Sequence, residues 1–154
     1  LLADGIRMGI QALLILTIAF VLTLVAGWRI PFATNVVGVV MIAVLAALFG
    51  VAFSGLSNTV ALRTKSTEAT MMASFSLTFP LLFMSTAMLP KALLPGWVQS
   101  VSTFNPVSYL ADAARALIIS GYDWTLIGKA LVAIAIVGAI LNGMAISAFR
   151  AQGK

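Results

Sequence analysis

The sequence predicts an all-α, polytopic membrane helix bundle, and three observations carry that prediction. Of the 154 residues, 62% are hydrophobic and 8% charged, against about 25% charged in soluble domains. Mean hydropathy is +1.12. The nine basic and four acidic residues are scattered through apolar sequence, leaving four uncharged, predominantly apolar runs that each reach the roughly 20 residues a helix needs to cross the hydrocarbon. A soluble globular fold is thereby excluded. The net charge of +5 reads as membrane flanks rather than as a nucleic-acid surface.

The first run, about 8–28, is rich in Leu, Ile, Val and Ala and closes on Gly27-Trp28, a breaker beside an interfacial aromatic. The second, about 34–62, has Pro31 and Asn35 near one end and Ser54, Ser57, Asn58 and Thr59 near the other. Because Val36 to Phe53 holds no polar turn, the run predicts one long or tilted helix. The third, about 69–90, carries Pro80 at its centre; the missing donor frees the carbonyl of Ser76, so a kinked helix is expected. In the fourth, about 130–149, Ala135, Ala139, Gly143 and Ser147 recur every four residues as a small-residue stripe for close helix packing, with Asn142 beside it.

Lys91 to Lys129 is neither a span nor an ordinary loop, and it is patterned as two short helices over about 94–120. In the first, Leu94, Trp97, Val98, Val101 and Phe104 recur at helical spacing after Pro95. Asn105-Pro106 then reads as an N-cap with Pro at the first helical position, and Ser120-Gly121 as the stop. Val107, Leu110, Ala111, Ala114, Leu117 and Ile118 form the expected apolar face of this second helix, with Asp112 and Arg115 three apart on the other. Two arrangements fit the pattern: an amphipathic pair lying on the bundle in the interface, or a re-entrant pair lining a pathway. Tyr122 and Trp124 follow as interfacial aromatics.

Four crossings put both termini on one face. Arg7, Arg63, Lys65, Arg150 and Lys154 against Arg29, Lys91, Arg115 and Lys129 favours cytoplasmic termini. With no His and no Cys, the common general base, thiol nucleophiles and the usual zinc and iron–sulfur ligand sets are missing. Asp4, Glu68, Asp112 and Asp123 are far apart in sequence, which argues against a membrane-embedded enzyme. Gly128-Lys129 is followed by Ala130, and position 123 is Asp where a P-loop requires Gly, so the chain has no phosphate-binding loop of that kind. Ser74, Thr78 and Ser85 share roughly one face of the third run; such hydroxyls serve helix packing at about 0.6 kcal/mol each, or, with Phe79, Phe83 and Met84 nearby, line a route for a bulky amphipathic substrate.

The order of Arg63-Thr-Lys-Ser-Thr-Glu68, Phe79-Pro80-Leu-Leu-Phe-Met-Ser85, Leu89-Pro90, Leu93-Leu-Pro95-Gly-Trp97, Asn105-Pro106-Val-Ser-Tyr109 and Asp112-Ala-Ala-Arg115 resembles the type-2 ABC transporter permeases, especially the daunorubicin-resistance-like drug exporters. The resemblance covers nearly the whole chain and implies a single transmembrane domain over 1–154, the last four of six spans, with two more ahead of Leu1. It further implies a bacterial plasma-membrane permease subunit that exports drug-like or lipid-like compounds by alternating access and binds no cofactor itself. ATP and Mg would sit on a separate ATP-binding cassette subunit, and a second permease copy would complete the assembly. Arg63, Lys65 and Glu68, and Asp4 and Arg7 at the start, are candidate ATPase contacts or plain topological anchors. Asp112 and Arg115 would fix the helix pair, and Pro80 would supply the bend. One departure is Thr86, where the family often has Gly. Export of a polysaccharide or glycolipid, or an assembly role without transport, are the alternatives.

Overall fold

A helix of 29 residues, α1 (Val36–Thr64), forms where the second apolar run lacks any polar break, and in lipid a helix is the local solution that pairs every backbone group within one segment. Two of the polar residues at its far end bond to their own helix backbone. Ser54 Oγ donates to the Val51 carbonyl at 2.9 Å and Thr59 Oγ1 to the Gly55 carbonyl at 2.7 Å. The computed structural model describes residues 36–152, Ala33 and Thr34 just ahead, and Ile6, Ile10, Gln11, Leu14 and Thr17, all five helical, nearer the start. The rest of the expected first span, 8–28, lies outside the described residues, as do Asp4 and Arg7.

After a two-residue turn comes α2 (Thr67–Phe83). Lys65 holds that turn in the left-handed region at φ 51°, with its N–H on the Ala61 carbonyl at 2.9 Å, and Ser66 caps α2 by accepting from the Ala69 N–H at 3.2 Å. A 3-10 turn (Lys91–Leu93), α3 (Gly96–Ser102), α4 (Pro106–Ile119) and α5 (Trp124–Gln152) complete the order. The described residues contain no strand.

Helix α5 runs back against α1, and this pair is the spine of the fold. Leu45 and Ala52 of α1 meet Ala113 and Leu117 of α4 and Ile127, Ala130 and Ile134 of α5 in one buried cluster. Further along, the helices nearly touch: a Cβ on Gly55 would lie 2.6 Å from the Leu141 carbonyl carbon, and Gly138 sits against Ala52. Asn142 Nδ2 donates to the Gly138 carbonyl at 2.9 Å and faces the Val51 and Ala52 carbonyls at 3.4 and 3.5 Å. The start of α1 is tied to the end of α4, where the Ala33 N–H donates to the Ile118 carbonyl at 2.8 Å and Thr34 Oγ1 to the Leu117 carbonyl at 2.5 Å. Those are last-turn carbonyls that a helix end leaves without an internal donor.

Several expectations are corrected. The stripe Ala135, Ala139, Gly143 and Ser147 is exposed, because the close approach is made instead by Gly55, Ala52 and Gly138 on another face. The third helix stops at Phe83, short of the expected 90. Among the described residues two helices, α1 and α5, meet the length and apolarity of a membrane span. Trp97, Val101 and Phe104 of the expected apolar face of α3 point outward, while Leu94 and Val98 pack inward. In α4 the buried residues are Ser108, Ala113, Ala116 and Leu117, and Val107, Leu110, Ala111, Ala114 and Ile118 are half-buried. Between helices in lipid, small size and hydrogen-bonding capacity select the inner face, since apolarity alone does not distinguish a neighbour from a lipid tail.

Candidate functional site

The polar interior of the molecule is concentrated where α2 ends and α4 begins. Pro80 lies inside α2, which closes three residues later with the Met84 N–H on the Pro80 carbonyl at 2.9 Å. The chain then turns through Ser85 and Thr86, which are 0% and 1% exposed. Ser85 Oγ donates to the Leu82 carbonyl at 2.6 Å and accepts from the Ala87 N–H at 3.1 Å, so its hydroxyl is spent on the turn.

Thr86 is the hub. Its Oγ1 donates to Asp112 Oδ1 at 2.7 Å and lies 3.2 Å from the Ser108 carbonyl, while its N–H donates to Ser108 Oγ at 3.3 Å. Arg115 Nη1 donates to the same Asp112 Oδ1 at 3.0 Å, and its Nη2 to the Thr86 carbonyl at 2.5 Å. The side chains of Arg115 and Asp112 are 32% and 35% exposed. This is neither the solvated surface pair nor the fully sunken one. About two helical turns of α4 present Ser108, Asp112 and Arg115 along a single edge, and spacings of four and three bring all three onto the loop after α2.

Asn105 adds a second fastening. It is 3% exposed and caps two helices at once: its Oδ1 accepts from the Val107 N–H at 3.0 Å, and its Nδ2 donates to the Leu81 and Met84 carbonyls at 2.6 and 3.1 Å. Pro106 sits at the first position of α4, where its missing donor costs nothing. Tyr109 donates to the Thr103 carbonyl at 2.5 Å and so pins α4 to the end of α3. Pro90 and Pro95 start the 3-10 turn and α3 respectively, and Trp97 of α3 is 64% exposed.

Other expected site residues lie apart from this junction. Ser74 shares a 2.9 Å hydrogen bond with Ser57 of α1, an interhelical packing contact. Thr78 is exposed. Phe79 and Phe83 are exposed with Phe75 as a ladder, ring centroids 6.0 Å apart at each step, and α2 contains no buried residue. Met84 is half-buried at the helix end. Ser85 lies beyond that end and faces inward, so it does not extend the face of Ser74 and Thr78. Arg63, Lys65 and Glu68 are exposed at the opposite end of the molecule, around the α1–α2 turn.

Thr86, Ser108 and Gly55 carry more of the structure than their sequence context suggests. Thr86 stands out in sequence as a bulky departure from a small residue, yet its hydroxyl is what engages Asp112. The available signal for Ser108 was its spacing of four from Asp112. Gly55 is one small residue among many in α1.

Among the described residues, two helices are long and apolar enough to cross a membrane, and the comparisons with known proteins agree with a membrane location. The family model described as ABC-2 type transporter matches residues 1–119, and the chain belongs to that family. A putative transport permease, ycf38, of Cyanophora paradoxa is 44% identical over 43 residues, 28% of this chain and 15% of that protein. The daunorubicin resistance ABC transporter permease protein DrrB1 of Streptomyces coeruleorubidus is 31% identical over 80 residues, 52% of this chain and 28% of its own length. The ycf38 protein of Porphyra purpurea is 42% identical over 45 residues, 29% of this chain and 15% of that protein. The chain thus spans well under a third of the length of these relatives. No solved structure matches.

Proposed function

We propose that this chain is the C-terminal, four-span part of a permease subunit that exports amphipathic compounds by alternating access, driven by a separate ATP-binding cassette ATPase that carries ATP and Mg. The family match over residues 1–119 is the observation that supports it. In this reading the whole of 1–154 is one transmembrane domain in a bacterial plasma membrane, crossed at 8–28, α1, α2 and α5, with both termini cytoplasmic. A helix of 17 residues such as α2 is about 26 Å long, near the roughly 30 Å of the hydrocarbon. The α3–α4 pair re-enters from the outer side, held to α2 through Thr86, Asp112 and Arg115.

Thr78, Phe79 and Phe83 line the route, on a helix with no fully buried residue, and a second permease copy forms the other wall. Arg63, Lys65 and Glu68 receive the ATPase, whose closure shifts the bundle as a rigid body. The test uses the full-length protein with its ATPase in inside-out vesicles and daunorubicin, the compound named for the relative, as probe. ATP-dependent uptake that Phe83→Ala alters supports the reading. Uptake indifferent to ATP overturns it, and ATP hydrolysis stimulated only by a glycolipid replaces drug export with glycolipid export by the same fold.

A further inference from the structure

At the α3–α4 end, a polar cavity of about 210 Å³ opens between α4 and the first turns of α5. Two lysines, Lys91 and Lys129, stand in its wall with Thr86, Ser108, Tyr109 and Asp112. The acidic residues nearby are already engaged. Asp112 Oδ1 accepts from Thr86 and Arg115, and Asp123 Oδ1 caps α5 by accepting from the Thr125 and Leu126 N–H groups at 2.9 and 3.1 Å. The Lys91 ammonium has only a 3.3 Å hydrogen bond to Thr103 Oγ1, and the Lys129 ammonium has no hydrogen-bond or ion-pair partner among the described residues. The cavity therefore carries an uncompensated positive charge.

Tyr109 and Lys129 also belong to a second hollow of about 520 Å³ that continues down α5 past Trp124, Val132 and Ile136. Val132 and Ile136 are 59% and 56% exposed, and with Gly128 they follow one another every four residues along one face. Gly128 leaves the floor of this groove open, since a Cβ there would meet nothing within 4 Å. A cationic polar chamber thus leads directly into an apolar channel at the level marked by Trp124, an aromatic of the kind that settles at headgroup depth.

We infer that this paired cavity and groove is a binding site for one anionic phospholipid of the surrounding bilayer, its phosphate between Lys91 and Lys129 and one acyl chain along Val132 and Ile136. Each basic residue near an anionic membrane surface contributes about fivefold in affinity. The site does not depend on the transport reading, because lipid occupancy is measured without ATP or cargo.

The test is equilibrium binding of pyrene-labelled phosphatidylglycerol and phosphatidylcholine to the full-length protein in neutral detergent. Phosphatidylglycerol should bind more tightly, and Lys91→Gln with Lys129→Gln should weaken it about thirtyfold while leaving phosphatidylcholine unchanged. Gly128→Leu, whose Cβ meets no neighbour within 4 Å and whose side chain projects into the groove, should weaken both lipids, and Arg63→Gln at the far end should weaken neither. Equal binding of the two lipids, an Arg63→Gln loss as large as that of the lysine pair, or full binding by Gly128→Leu would overturn the proposal. So would displacement of phosphatidylglycerol by an equal concentration of glycerol 3-phosphate, which would make the cavity a site for free phosphate esters.

Discussion

Thr86 Oγ1 donates to Asp112 Oδ1 at 2.7 Å across 26 residues of sequence, joining the loop that leaves α2 to the middle of α4. The hydroxyl is buried and the carboxylate half-exposed, so the bond is charge-assisted yet partly screened. Thr86→Val removes the donor at nearly constant volume and should cost about 1–2 kcal/mol. Asp112→Ala removes the acceptor for Arg115 as well and should cost about 2 kcal/mol. Because the two share one bond, the double variant should show a coupling energy of about 1 kcal/mol by thermal melting of the purified protein; strictly additive losses would mean that the contact carries no stability.

Asp112→Ala should lower the abundance of the membrane protein more than it alters the choice of compound. Immunoblotting of membranes alongside a resistance profile checks this, and normal abundance with changed specificity would place Asp112 on the transport route instead.

Asn105→Ala uncaps α4 and leaves the Leu81 and Met84 carbonyls without their donor, an expected loss of about 2–3 kcal/mol. Asn105→Ser restores an acceptor for the Val107 N–H and should recover about 1 kcal/mol. Equal melting of the two variants would show that the N-cap contributes nothing.

Two glycines should behave oppositely. Gly55→Ala drives a methyl into the Leu141–Asn142 backbone, which cannot move without parting α1 from α5, so a loss of several kcal/mol or failure to accumulate is expected. Gly143 has open space around it within the chain, and Gly143→Ala should raise stability by up to about 1 kcal/mol through helix propensity. A large loss at Gly143 would locate another helix or a second copy on that stripe.

Much of the fold can be read from where the charges fall. The uninterrupted run after Arg29 predicts α1, and Asn105-Pro106 with Ser120-Gly121 brackets α4, whose described bounds are Pro106–Ile119. These are local signals, a cap here and a stop there. What sequence does not convey is which face turns inward. Leu110 and Ala113 are equally acceptable to lipid, and it took the placement of Thr86 to show that the Ser108–Asp112 edge is the inner one. The pathway residues of α2 are less legible for the same reason: Ser74 and Thr78 share a helical face by spacing, yet one bonds to Ser57 while the other is exposed. Ser85 escapes the pattern because the helix ends two residues before it.

Dependence on a separate ATPase is the part of the proposed function on which the transport reading rests. Affinity purification of the full-length protein from its native membrane, followed by an ATP hydrolysis assay across candidate compounds, tests it most directly. A stoichiometric P-loop ATPase in the complex and hydrolysis that rises with the transported compound are expected. A chain that purifies without any nucleotide-hydrolysing partner, from membranes where it is abundant and folded, would contradict it.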